Sequence, residues 1–165
     1  MGEVTIRAMD RPGDLGWVLM AHGELYAREY DWATEAVTAR IVADHAAHGR
    51  PDRDAGWIAE LEGRRVGSVL CVREDERTAR LRLLLVDPGA RGHGLGRQLV
   101  TCCIDFARDA GYARLVLWTN EPLAAARRLY LDAGFTLTGE ERHREFGAEV
   151  LGQSYALDLD PTRHP

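Results

Sequence analysis

The chain has 165 residues, 45% of them hydrophobic and 28% charged, with a net charge of −5 and three cysteines. That length fits one domain with one core, and the charge leaves no basic patch for a nucleic acid. No apolar run is long enough for a membrane span, no signal peptide opens the chain, and the cysteines show neither disulfide nor zinc spacing, which predicts a metal-free cytoplasmic protein.

Val4-Thr5-Ile6-Arg7 alternates apolar and polar residues, which predicts a half-buried strand that Pro12-Gly13-Asp14 breaks. Trp17 to Tyr30 follows a helical period and carries His22, Glu24, Tyr26, Glu29 and Tyr30. Thr34 has the chemistry of an N-cap for a second helix running to His48, before Gly49 and Pro51. Three strands are predicted next, Trp57 to Glu62, Val66 to Val72 and Ala79 to Val86, the first two joined by a hairpin at Gly63-Arg64.

Arg91-Gly92-His93-Gly94-Leu95-Gly96 then separates a strand from a helix in which Leu95, Leu99, Cys103, Phe106 and Ala110 recur at helical spacing. A strand, glycine loop and helix in that order present free N–H groups and the positive end of a helix dipole. Glycines there let a phosphate approach the backbone, and Arg91 adds charge. The spacing fits neither a Walker A loop nor a dinucleotide fingerprint, so the choice lies between a pyrophosphate cradle and a plain tight turn. Leu115 to Trp118 is a buried strand, Asn120-Glu121-Pro122 starts a helix through Ala133, and Gly134 stops it. Phe135 to Thr138 and Val150 to Leu159 are the last strands, separated by a polar loop from Glu140 to Gly147. The tail from Asp160 to Pro165 is expected to fray.

Arg91, Gly94 and Gly96 resemble the Arg-x-x-Gly-x-Gly pattern of the GNAT superfamily of acyl-CoA-dependent N-acetyltransferases. Ala126, Leu129, Tyr130, Gly134 and Phe135 resemble that family's Ala-x-x-Leu-Tyr-x-x-x-Gly-Phe helix. The resemblance implies an α/β GNAT fold, one mixed sheet in the order β-α-α-β-β-β-α-β-α-β-β with a splayed strand pair and flanking helices. It implies acetyl-CoA as acyl donor, held by the Arg91–Gly96 loop, by the main chain of Leu84 and Val86, and by Asn120, whose alternative is helix capping. Tyr130 is either the acid that protonates the departing thiolate or a packing residue with its hydroxyl at the rim. Many family members place a glutamate base on the strand before the loop, but this chain has Arg80 and Arg82 there. Glu29 is taken as the base, with Glu24, His22 and His143 as alternatives; His22, Glu24, Tyr26 and Tyr30 form the candidate acceptor surface.

His22-Gly23-Glu24-Leu25-Tyr26 and Leu117-Trp118-Thr119-Asn120 are similar to GNAT domains fused to MarR-type regulators, although no DNA-binding domain lies in these residues. The expected activity is direct transfer of an acetyl group to a small-molecule amine, because no Cys or Ser stands beside a suitable His/Asp pair. The rivals are a non-catalytic acetyl-CoA sensor and an acetyltransferase of protein N-termini or lysines. Bulky Trp17, Tyr30 and Trp32 argue for an enclosed pocket and against a protein acceptor. A homodimer through the final strands stays open.

Overall fold

The computed structural model describes residues 2–159, so the expected fraying of the 160–165 tail lies outside the described residues. The elements follow the expected order: β1 Val4–Ala8, α1 Asp14–Tyr30, α2 Glu35–His48, β2 Ala55–Leu61, β3 Arg64–Arg73, β4 Thr78–Val86, α3 Leu95–Asp109, β5 Arg114–Asn120, α4 Ala124–Asp132, β6 Thr136–His143 and β7 Val150–Asp158. They form one seven-stranded sheet in the order β1-β2-β3-β4-β5-β7-β6. Every neighbouring pair is antiparallel except β4 and β5, whose parallel pairing needs the crossover that α3 provides. No described helix is long and apolar enough to cross a membrane.

Strand alternation sends side chains to two cores. Ala79, Leu81, Leu115 and Leu117 pack with Leu95, Leu99, Cys103 and Ala107 of α3 and with Tyr130 of α4. Ile58 points the other way and packs with Val18 of α1 and Val42 of α2. Glu62 and Gly63 both have positive φ, 52° and 77°, which gives the β2–β3 hairpin the twist that matches its strands.

Several boundaries differ from expectation. Helix α1 begins at Asp14, three residues before Trp17, because Asp14 is buried and tied down. Its carboxylate accepts from Arg7 Nη1 at 2.8 Å, Arg7 Nη2 at 2.9 Å, Arg65 Nε at 2.8 Å and the Arg11 N–H at 2.9 Å. Glu60 joins from β2, with Oε2 at 3.2 Å from Arg7 Nε. This ion network fixes the start of α1 against the β1–β3 edge. Thr34 stands at the start of α2 but makes no capping bond; its buried hydroxyl faces the His22 carbonyl at 3.5 Å.

Helix α4 starts at Ala124, after Leu123, and Asn120 is the last residue of β5, so Asn120 does not cap it through its side chain. The region expected as a polar loop from Glu140 is strand as far as His143, because residues 139–143 pair with β7. Composition hid that strand, since β6 is an exposed edge with little apolar content.

Candidate active site

Strands β4 and β5 pair over only three positions, Thr78 with Arg114, Ala79 with Leu115 and Arg80 with Val116. Beyond them the ladder ends and the strands part. The cause lies in β4. Between the pairs Ser68–Leu85 and Leu70–Arg82, only Val69 stands on β3 whereas Leu83 and Leu84 stand on β4. The extra residue is a β-bulge, and Leu83 takes φ 54° to form it. Ala79 and Leu81 belong to the α3 core, but Leu83 joins the α1–α2 core and the α3 side is resumed by Leu84 and Val86. Buried Ser68 donates to the Leu83 carbonyl at 2.9 Å and holds the bulge in place.

Two cavities meet at this opening. The first, about 370 Å³, runs along Leu84, Leu85 and Val86 to Arg91, Gly92, Gly94, Leu95 and Gly96. The second, about 520 Å³, lies between α2, β4, the end of β5 and the β6–β7 connection. Tyr26, Leu84, Leu123 and Ala126 line both, so they mark the passage between them.

The glycine loop has the features of an anion cradle. Gly92 and Gly94 have φ of 88° and 74°, and a Cβ at Gly92 would meet nothing within 4 Å. The first bond of α3 runs from the Gln98 N–H to the Gly94 carbonyl, which leaves the N–H groups of Leu95, Gly96 and Arg97 in the uncommitted first turn. Gly96 lines the cavity and has a packing role as well. A Cβ there would stand 2.7 Å from Leu129 Cδ1, so this glycine lets α4 press against α3. His93 turns away from the cavity lining, and its Nδ1–H donates to the Ala90 carbonyl at 3.0 Å, closing the turn.

The residues expected to act on substrate separate into three places. Glu29 and Tyr30 line the loop cavity and not the chamber that contains Tyr130. Glu29 Oε2 lies 3.4 Å from Arg91 Nη2, so its carboxylate orients the loop arginine instead of reaching the acceptor side. Glu24 is exposed on α1 and lines neither cavity. His22, Tyr26, Asn120 and Tyr130 do come together around the chamber.

Tyr130 is only 4% exposed, and no hydrogen bond ties its hydroxyl among the described residues. Burial, then the neighbouring Tyr26, push its phenol well above the usual tyrosine range, so it keeps its proton. Burial likewise pushes Tyr26 up to about 12.

His22 is buried at 2% exposure, and its Nδ1–H donates to the Val18 carbonyl at 2.8 Å. That bond fixes the tautomer and leaves Nε2 as a bare lone pair, which has no partner within the described residues. Desolvation lowers its pKa from 6.5 to about 4 despite the Val18 bond, so the ring is neutral at pH 7. The folded state therefore refuses a proton that the unfolded chain accepts below pH 6.5. Stability from neutral His22 is complete above 6.5 and is lost as pH falls toward 4, in total about 3 kcal/mol. Thermal melts of the wild type and His22→Gln should show the wild type's advantage shrinking over that window. A constant difference between the two would reject the assignment.

His143 is not a free base. Its Nε2–H donates to Asn120 Oδ1 at 2.7 Å, and its Nδ1 accepts from the Glu145 N–H at 3.2 Å. This leaves the amide nitrogen of Asn120 and the second lone pair of its Oδ1 for a ligand. The aromatic residues that line the chamber beside Tyr26 and Tyr130 are not the expected bulky ones. Trp17 packs in the α1–α2 core, and Trp32 is buried beneath Tyr30, their rings stacked at 4.6 Å. Trp118, His143 and Phe146 form the wall, with centroids 4.9 Å apart for Trp118–His143 and 5.3 Å for His143–Phe146. Sequence reasoning missed Trp118 and Phe146 as lining residues; the Leu-Trp-Thr-Asn stretch was the only local signal.

Residues 17–135 match the Acetyltransferase (GNAT) family, and both motifs fall on the cavities just described. The chain belongs to the GNAT acetyltransferase family. Among its relatives, mycothiol acetyltransferase of Beutenbergia cavernae is 31% identical over 150 residues, covering 81% of this chain and 49% of that protein. N-acetylaspartate synthetase of Danio rerio is 38% identical over 96 residues, covering 58% of this chain and 34% of that protein. The chain thus spans a third to a half of the length of these relatives. In fold, this GNAT domain is similar to an acetyltransferase of Salmonella typhimurium solved with its cofactor acetyl-CoA, at TM-score 0.77 and 24% identity over 99% of this chain and 98% of that one.

Proposed function

We propose that this GNAT domain transfers an acetyl group from acetyl-CoA to the amine of a small molecule by direct attack. One observation carries the reading: a continuous cleft leads from the glycine cradle, past the parted β4 and β5, to a chamber with a protonated tyrosine. The residues fit the donor. Free N–H groups and Arg91 suit its diphosphate, the unpaired β4 edge from Leu84 to Val86 suits the amides of its arm, and Gly92 leaves room where a side chain would block approach. When bound, the donor supplies an acyl thioester at the junction of the two cavities.

The chain's own groups then have distinct tasks. Glu29 positions Arg91. Tyr130 holds a proton beside the junction, available to a leaving sulfur. His22, neutral and with its unpartnered Nε2 buried in the chamber wall, is a better candidate base than Glu29 or His143, and it takes the amine's proton only once that nitrogen is uncovered. Tyr26 borders both cavities and contacts both substrates. The aromatic wall of Trp118 and Phe146 favours a small acceptor over a protein chain. Free cysteines support a reducing, cytoplasmic compartment, and the exposed edge strand β6 offers a second copy a place to pair.

Isothermal titration of acetyl-CoA tests the reading. Wild type is expected to bind, Gly94→Trp to lose binding through both bulk and its positive φ, and Arg91→Gln to bind about 10-fold more weakly with an unchanged melt. If wild type binds neither acetyl-CoA nor CoA, the loop is only a turn and the assignment fails.

A further inference from the structure

The chamber wall contributed by β4 carries two arginines, and they are not equivalent. Arg80 is neutralised, with Nε at 2.7 Å and Nη2 at 3.1 Å from the two carboxylate oxygens of Glu74. Arg82 lines the same chamber, is half-buried, and has no hydrogen bond or ion pair among the described residues. No carboxylate among the described residues pairs with it: Asp44 on α2 and Glu74 act on it only through space, and Glu141 and Glu145 border the chamber without an ion pair to it. Desolvation, then repulsion from Arg80, make its charged form less favourable than in water. A partly desolvated cation facing a cavity is unfavourable unless an anion completes it.

The phosphates of the acyl donor do not meet that need, because the glycine loop and Arg91 lie on the other side of the passage. What enters this chamber is the acceptor. We infer that Arg82 binds a carboxylate of the acceptor, so the substrate class is free amino acids and small amines that carry a carboxylate. The inference rests on the acetyltransferase reading above and narrows it. Thr119 and Ser154 line the chamber as additional neutral partners, and the planar guanidinium suits a two-point contact with a carboxylate. The attacking amine of the same molecule belongs on the His22 and Tyr130 side of the chamber.

The test is a thiol-release assay with acetyl-CoA and matched acceptors: the common amino acids, their carboxamides, and the amines left after removal of the carboxylate. Wild type is expected to prefer the carboxylate member of a pair by about 10- to 100-fold in kcat/KM. Arg82→Gln is expected to abolish that preference, changing carboxamide turnover by less than about threefold, and Arg82→Lys to restore part of it. Titration with acetyl-CoA is the control, and it should be the same in all three proteins. No preference in wild type, or a preference that survives in Arg82→Gln, overturns the inference. Binding of acetyl-CoA with turnover only of amines that lack a carboxylate overturns it while the acetyltransferase reading stands; no acetyl-CoA binding at all overturns both.

Discussion

Tyr130→Phe is expected to lower kcat by about 10²-fold or more while leaving acetyl-CoA affinity within about twofold. The reasoning starts from burial. A phenol with 4% exposure cannot ionise readily, so at neutral pH its hydroxyl is always a donor. That hydroxyl faces the chamber with no hydrogen-bond partner among the described residues, while the ring is packed against Phe135 at 5.8 Å and Tyr155 at 6.3 Å. Removing the oxygen keeps the packing and deletes only the donor. A steady-state assay of thiol release, combined with acetyl-CoA titration, separates the two roles open to this residue. If kcat is unchanged, Tyr130 is a packing residue and the acid lies elsewhere. The pH profile adds a second check, because a group held this high should give no basic limb below pH 9.

Asp14→Ala is expected to destabilise the fold by about 3–5 kcal/mol, near 10–15 °C in Tm for a domain of this size. The carboxylate is 1% exposed and joins β1, β3 and the first turn of α1 through its two arginines. Deleting it strands positive charge: Arg7, largely buried, retains Glu60, but Arg65 loses its only carboxylate among the described residues. The arginines, chiefly Arg7, hold the Asp14 carboxyl well below the usual carboxylate range against the cost of burial. Its contribution is therefore present above about pH 4 and lost as acid protonates it. Chemical denaturation of the wild type, Asp14→Ala and Asp14→Asn measures the effect. A loss below about 1 kcal/mol for the alanine variant would show that the network is screened and contributes little. Because α1 carries His22 and Tyr26, activity in surviving folded protein should also fall.

The outcome for the site divides along one physical line. Glycine spacing, the apolar period of α3 and the Leu129-Tyr130 segment of α4 are local patterns, and the residues they mark line the two cavities. Glu29 illustrates the limit of such patterns. It shares a helix with His22, but the helix crosses the passage, so one residue faces the loop arginine and the other faces the chamber. His143, an alternative base candidate expected in a loop, is a hydrogen-bonded strand residue, because β7 recruits its neighbours into a ladder that their own polar composition does not favour.

The order of elements, the family, and the loop and helix that carry its two motifs were legible in the residues alone. Each follows from side-chain periodicity or from backbone freedom within a few neighbouring residues. The parting of β4 from β5, the bare nitrogen of His22 and the unpaired charge of Arg82 emerge only from the folded chain. A bulge exists only relative to a partner strand, a tautomer only relative to the carbonyl it meets, and an unpaired cation only relative to the carboxylates that fail to reach it.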